Sequence, residues 1–430
     1  MKKIFISAGT LAILSLSAQS NQDLMRQFEK QRIENNEKFE AYVSKHYGTS
    51  RSADTQKRIE EQRSKLAGFT PDGNPLFNEL TDLRQGKNSN ADFLQNGTIN
   101  GLTGSFNGEN IKYTVFDGGR AFGGHVAFDN MPNRITNKEA ATGTTANYDL
   151  HATAVTGFIG AKSLPITLQY NGANVSVDLK GIASNSTFDN YSFQNTVLPG
   201  SSLESTVFQK ILLAAPKISN HSYGSQAGWL LYPLPSTGQQ VLYWNGNPDA
   251  LTVAGAHQDL QGTYYSHDKE YDQIVYTNPS YVIVKAAGNT ATTGPTGYGA
   301  VLPRYHAGPA NNPPVQFAAT EVLPPDNCIS GYDCLNNGSL AKNIIVVGAT
   351  DIIAANDNRY TAPTDVVRSF YSSAGPRDDG GIKPDITTTG TEVAFAATAE
   401  NTTGTQSAGI DSGTSFSTPV VTGIIGLWMQ

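Results

Sequence analysis

The sequence predicts an α/β fold with a mostly parallel central β-sheet, and three observations carry that prediction. Short runs rich in β-branched and apolar residues stand far apart along the chain: IKYTVF (111–116), YVIVKAA (281–287) and NIIVVGA (343–349). None shows the polar–apolar alternation of a half-exposed strand, so each reads as a strand buried on both faces. Helical stretches of small and apolar residues lie among them, the arrangement that parallel strands need for their crossovers. In such folds functional groups gather at the carboxyl ends of the strands, so the residues that follow each run are informative.

In chain order, the first element is MKKIFISAGTLAILSLSAQS, with Lys2 and Lys3, a short apolar stretch and small residues around Ala18. It reads as a secretory signal peptide over residues 1–20. A secreted or extracytoplasmic protein is therefore expected, with no later run near the ~20 apolar residues of a membrane span. A net charge of −7 argues against a nucleic-acid partner. From Asn21 to Leu66, 18 of 46 residues are charged, against 49 of the other 384, so the composition changes there. Phe39, Tyr42, Val43 and Tyr47 recur at helical spacing. Glu34/Lys38 and Glu61/Lys65 are i,i+4 pairs, and Gly48 and Gly68 are natural helix stops. Two charged amphipathic helices are predicted, within a helical N-terminal segment spanning 21–97.

Asp117-Gly118-Gly119 directly follows the first predicted strand, where a buried carboxylate can orient a histidine while the glycines turn the chain away. Asp379-Gly380-Gly381 has the same letters but no apolar strand before it. Of the seven histidines, His151 precedes ATAVTGFIGA, whose small residues let a helix press on the sheet and hold an imidazole rigidly. His125, in GGHVAF, has no such helix and reads as structural. After the strand YVIVKAA stands Gly288-Asn289, whose carboxamide can donate to an oxyanion without carrying charge. Cys328 and Cys334 sit in DNCISGYDC, a loop in which they either close a small disulfide or remain free thiols. With no further cysteine, a zinc site is not expected. Finally, Gly413-Thr414-Ser415 puts a hydroxyl on a turn opening an apolar helix, with Pro419 expected in its first turn. The orphan N–H groups of a helix N-terminus can stabilise an anion beside that serine.

Taken in order, YTVFDGG, HATAVTGFIGA, ISNHSYG, VKAAGN, FYSSAGPRDDGGIKPD and GTSFSTPVVTG resemble the successive blocks of the subtilisin-like serine proteases, the subtilases. The resemblance runs from about Thr98 to the end and, through GFTPDGNPLF, reaches back toward Gly68. It implies a subtilisin-like fold with helices on both faces of the sheet, and a peptidase domain over residues 98–430. Carried over by position, Asp117, His151 and Ser415 would form a catalytic triad in the order Asp, His, Ser, and Asn289 would be the oxyanion donor. Ser222, Tyr223 and Gly224 would pair with an extended substrate, opposite Ala286, Ala287 and Gly288. Small uncharged walls imply a neutral, large side chain on the amino side of the cleaved bond (P1). Two departures stand out: Ala152 and Ala154 replace a glycine and a second histidine, and IKPDITTTG puts threonines where the family has an alanine-proline turn.

The resulting expectation is a secreted, monomeric serine endopeptidase acting on polypeptides, needing no cofactor and open to structural calcium, as subtilases often are. An inactive relative that binds peptides is the alternative. The charged helices are either a cleaved pro-region, as in a zymogen, or a hairpin retained in the mature enzyme. Because the apolar run Ile424–Met429 comes last, without a residue to stop the helix, the chain is also expected to be a truncated form missing its C-terminal part.

Overall fold

The computed structural model describes residues 21–47, positions 56, 59 and 63, residues 66–69 and 75–77, and residues 84–430 apart from 130–131, 142–147, 226, 247–260, 307–312, 330–333, 354 and 399–404. The proposed signal peptide and most of the second charged helix lie outside the described residues. The chain divides into two compact units, Met1–Leu80 and Thr81–Gln430.

In the first unit, helix α1 (Asn21–Tyr47) covers the first charged stretch. Phe39 and Val43, one turn apart, are fully buried with Ile59, and Tyr42 packs against them. The helical spacing read from the sequence is thus an apolar stripe on a charged helix. Strands β1 (Leu66–Phe69) and β2 (Pro75–Phe77) pair antiparallel. Gly68, expected to stop a helix, lies within β1.

The second unit opens with the short helices α2 (Arg84–Asn88) and α3 (Ala91–Asn96). Ala91 and Leu94 join its main core, and the Asn88 carboxamide donates to Ile353 O and accepts from Thr389 Oγ1. The boundary between units therefore falls near residue 80, and residues 84–97, expected to belong to the N-terminal segment because the family resemblance starts near Thr98, belong to the second unit.

In chain order its strands begin with β3 (Lys112–Asp117), β4 (Ile135–Asn137), the hairpin β5 (Pro165–Tyr170) and β6 (Ala173–Asp178), β7 (Thr187–Ser192), and the short pair β8 (Thr196–Val197) and β9 (Glu204–Ser205). They continue with β10 (Ile218–His221), β11 (Gly228–Pro233), β12 (Gln240–Asn245), β13 (Val282–Ala286), β14 (Arg304–His306), β15 (Val315–Gln316), β16 (Ile345–Thr350), β17 (Ile386–Thr389), β18 (Val393–Ala396) and β19 (Ala408–Asp411). The central sheet has seven strands in the order β17-β16-β13-β10-β3-β7-β4. Every neighbouring pair in it is parallel. The three apolar runs are β3, β13 and β16, and all of β3 after Lys112 is buried, as an unalternating run requires. The threonines of IKPDITTTG form β17, paired with β16 at the sheet edge.

Helices cover both faces. Tyr113 and Val115 of β3 pack against Val155 and Ile159 of α4 (Leu150–Gly160), together with Val420 and Leu427 from the C-terminal stretch. Phe116, Ile283 and Val346 point to the opposite face, onto Ile211 of α5 (Val207–Ala214) and Tyr271 and Ile274 of α6 (Ser266–Thr277). The last helix, α7 (Thr414–Met429), lies close against the sheet. A side chain at Gly426 would run into the Tyr113 ring, and the Tyr113 hydroxyl donates to Gly423 O at 2.9 Å. From β3 the chain builds β4 and β7 on one side, then returns to place β10 on the other. That reversal opens a crevice at the carboxyl ends of β3 and β10.

Candidate active site

Asp117 is the last residue of β3 and almost fully buried. Its Oδ1 accepts from Gly118 N at 2.7 Å and from His151 Nδ1 at 2.7 Å. The other oxygen, Oδ2, is buried without a hydrogen-bond partner. His151 is the second residue of α4, and the helix is capped just before it by Asp149, whose Oδ1 accepts from Ala152 N at 2.6 Å. The imidazole lies beside Phe416, ring centroids 5.8 Å apart, and its side chain is 37% exposed. Burial pulls its pKa down, but the charge and hydrogen bond of Asp117, helped by Asp149 and Asp411, outweigh this and raise it to about 9. With Nδ1 held by the carboxylate, Nε2 remains free to take or give a proton.

Ala152 and Ala154 are fully buried in α4. Ala154 packs with Phe158, Phe395 and Phe416, so the position where the family carries a second histidine is here part of a dry aromatic cluster.

Ser415 is the second residue of α7. The sequence led us to expect Pro419 in the first turn, but it lies inside the helix, five residues after Thr414. There it lacks the N–H that would bond to the carbonyl four residues back, that of Ser415. Ser222 supplies the missing donor: its Oγ donates to Ser415 O at 2.9 Å, and the Ser415 hydroxyl donates in return to Ser222 O at 3.0 Å. Ser222 Oγ also accepts from the buried Asn220 Nδ2 at 2.9 Å. Ser222, expected on the substrate-binding face, therefore braces the serine from within and does not line the pocket described next.

Asn289 follows β13. Its Oδ1 accepts from both the N–H and the hydroxyl of Thr414, each at 2.8 Å, which closes the start of α7. This fixes the carboxamide and leaves its N–H₂ on the Gly413 side. Gly413 keeps that side open, since a Cβ there would lie 3.3 Å from Asn289 Nδ2. The Ser415 N–H, in the first turn of α7, has no acceptor within the helix. The Asn289 N–H₂ and the Ser415 N–H thus both lie beside Gly413.

Next to them opens a pocket of about 320 Å³. Tyr223, Gly224, Ala286, Ala287, Gly288, Asn289 and Ser415 line it, so five of the six predicted substrate-binding residues share one cavity. Tyr298 and Leu231 stand exposed at its rim, and Asn336 and Ser339 are buried in its wall. No local cue marks these four, because only the fold brings β11, the loop after β13 and the loop before β16 together around the end of β13.

The remaining candidates lie elsewhere. His125 is fully buried, its Nδ1 accepting from Ala127 N at 3.1 Å and its Nε2 donating to Ser407 O at 2.7 Å. Asp379 is bound to Arg377 at 2.9 Å. Cys328 and Cys334 are joined in a disulfide, Cα–Cα 5.1 Å, packed on Ala291 just past Asn289. Among the described residues, the one group of three close His, Cys, Asp or Glu side chains is Asp117, Asp149 and His151. These are bonded to one another or to backbone N–H groups, which suits a proton-handling site better than an ion, and no calcium ligands are assigned. No helix among the described residues is long and apolar enough to cross a membrane.

Several solved peptidases align with the chain. A prenylagaramide maturation protease, PagA, aligns at 15% identity and TM-score 0.38 over 74% of each chain. A cold-adapted subtilisin-like serine proteinase aligns at 15% identity and TM-score 0.36 over 76% of this chain and 77% of that one. The patellamide maturation protease PatG aligns at 14% identity and TM-score 0.39 over 80% of each. No curated protein sequence matches. The family model described as the subtilase family, however, matches residues 110–430, from the first strand of the central sheet through the serine helix. On that match to about three-quarters of its length, the chain belongs to the subtilase family of serine peptidases.

Proposed function

We propose that this subtilase is a secreted serine endopeptidase that cleaves polypeptides through Asp117, His151 and Ser415, with Asn289 assisting. The observation that carries the reading is the 2.7 Å bond between Asp117 and His151 at the mouth of a crevice that also holds a serine at a helix N-terminus. Extended substrate would lie along Tyr223–Gly224, its main chain paired with theirs. As it enters, the Ser415 hydroxyl turns from Ser222 O toward His151 Nε2, a contact that free enzymes often lack. Ser415 attacks the carbonyl carbon while Nε2 takes its proton, and Asp117 holds the resulting imidazolium. The oxygen, now negative, meets the Asn289 N–H₂ and the Ser415 N–H. Nε2 then passes its proton to the leaving amine, and water repeats the sequence on the acyl-enzyme.

Labelling with a fluorophosphonate tests this directly: the wild-type chain should react at Ser415 and hydrolyse unfolded protein, and Ser415→Ala should do neither. A second reading, a silent relative that only binds peptides, draws on the Ser415 hydroxyl being engaged by Ser222 O instead of by His151. Binding without labelling would establish it. N-terminal sequencing of exported protein reads the processing: a start near residue 21 means the charged unit is retained, a start near residue 80 that it is a removed pro-region.

A further inference from the structure

Asn336 lies in the wall of the pocket beside Ser415, in the loop between the disulfide and β16, and is 4% exposed. Its Oδ1 is buried and has no hydrogen-bond partner among the described residues. Three other buried polar side chains around the pocket are occupied. Ser339 Oγ donates to Ala286 O at 2.8 Å, Thr414 Oγ1 donates to Asn289 Oδ1 at 2.8 Å, and Thr290 Oγ1 meets Ser373 Oγ at 3.3 Å. The loop itself is held firmly: Asp268, fully buried, accepts from Gly338 N and Leu340 N at 2.8 Å each, and Ser339 N donates to Asn336 O at 2.9 Å. A carboxamide whose oxygen is buried and unpaired, on a firmly held loop lining an open cavity, is unusual, because unpaired buried polar groups are costly.

We infer that Asn336 selects the substrate's P1 residue, and that the preferred class is a primary carboxamide side chain, glutamine or asparagine. The inference rests on the peptidase reading for the identity of the pocket. A carboxamide offers one donor and one acceptor in the same plane, so it can satisfy both ends of Asn336 together. An aliphatic side chain leaves Oδ1 unpaired and covers Nδ2 without offering it an acceptor. A carboxylate presents an acceptor to Asn336 Oδ1, and a cation meets no carboxylate, since none lines the pocket. Sites built to pair with a polar substrate group discriminate strongly against analogues that lack it, for this reason.

The test is a set of peptides identical except at P1: Gln, Asn, Met, Glu and Lys. Met matches Gln in length without its hydrogen bonds, and Glu matches it in shape with a charge. The better of Gln and Asn should exceed Met and Glu by about tenfold or more in kcat/KM. Asn336→Leu should erase that ratio and let Met overtake. Met or Glu equalling both amides in the wild type overturns the inference, as does an unchanged ratio in Asn336→Leu. Titrating the Ser415→Ala protein with the same peptides reads the pocket without turnover. Amide peptides binding about tenfold tighter there support the inference even if the wild type cleaves nothing, a result that would sink the peptidase reading alone. Equal Kd values for amide and Met peptides overturn the inference.

Discussion

Replacing Ser222 by alanine removes a hydroxyl with two buried neighbours, and the cost of each can be separated. Ser222 Oγ accepts from Asn220 Nδ2, on a residue with no exposed surface, and donates to Ser415 O in a part-buried site. A buried polar group left unpaired costs about 1–3 kcal/mol, so Asn220 accounts for that range and the part-buried carbonyl for ~1 kcal/mol at its lower end. The carbonyl's share exists only because Pro419 cannot donate to it. In a Pro419→Ala background the new N–H can bond to Ser415 O within the helix, so Ser222→Ala should cost ~1 kcal/mol less there than in the wild type. Urea unfolding of the wild type, both single variants and the double variant gives this coupling directly, from midpoints at constant slope. A coupling indistinguishable from zero would refute the idea that Ser222 stands in for the helical donor that proline removes.

Other outcomes follow from the site's charges and bonds. Only neutral His151 can accept a proton, and Asp117 holds its charged form up to about 9, so kcat/KM should rise with pH to a half-maximum near that value. The Asp117–His151 pairing should stabilise the fold fully below the unfolded imidazole's ~6.5 and lose that contribution as pH climbs through about 9. A rate profile with its midpoint at or below 7 would contradict this. Asn289→Asp keeps the acceptor for Thr414 while deleting the N–H₂, so it should unfold at nearly the wild-type urea midpoint yet lower kcat by at least about 10²–10³-fold, a range that itself comes from a subtilisin. A kcat within a few fold of wild type would remove Asn289 from the oxyanion site. Lys285 is buried behind the pocket, donating to Tyr223 O at 2.6 Å, and burial, partly opposed by Asp268, lowers its pKa to about 7. Between pH 7 and ~10.4 the unfolded chain binds a proton the folded one does not, so stability gains from rising pH. Lys285→Met should therefore gain on the wild type as pH falls from 10 to 7, and a pH-independent difference between the two would show that Lys285 stays charged when folded.

How much of this was legible in the sequence depended on how local each cause is. The strands β3, β13 and β16 could be read because burial on both faces suppresses alternation, a property of a few consecutive residues. The places of Asp117, His151, Asn289 and Ser415 could be read because each ends or begins an element whose glycines and small residues are written beside it. Ser222 was misplaced because its partner, Ser415, is remote in sequence, and the need that joins them arises from a proline whose position in the helix depends on where the helix starts. Gly68 misled because a glycine stops a helix or fits a strand equally well. Asn336 could not be found at all: in LNNGS it looks like an ordinary turn, and its meaning comes from the cavity that β13 and α7 build around it.

The start of α7 also explains why the serine is held so rigidly without being used up. A helix N-terminus leaves its first N–H groups without internal acceptors, which is a cost in a protein interior. Here one of them, Thr414 N, is satisfied by Asn289 Oδ1, and that same bond aims the Asn289 N–H₂. The proline at 419 leaves an acceptor short as well, and Ser222 fills it, tying the serine to the strand segment that precedes the substrate-pairing residues. The Ser415 N–H stays unpaired, beside a glycine that keeps the space clear. Two orphan groups thus position the serine, and under the proposed mechanism the third, the Ser415 N–H, is the donor that a developing negative charge would meet.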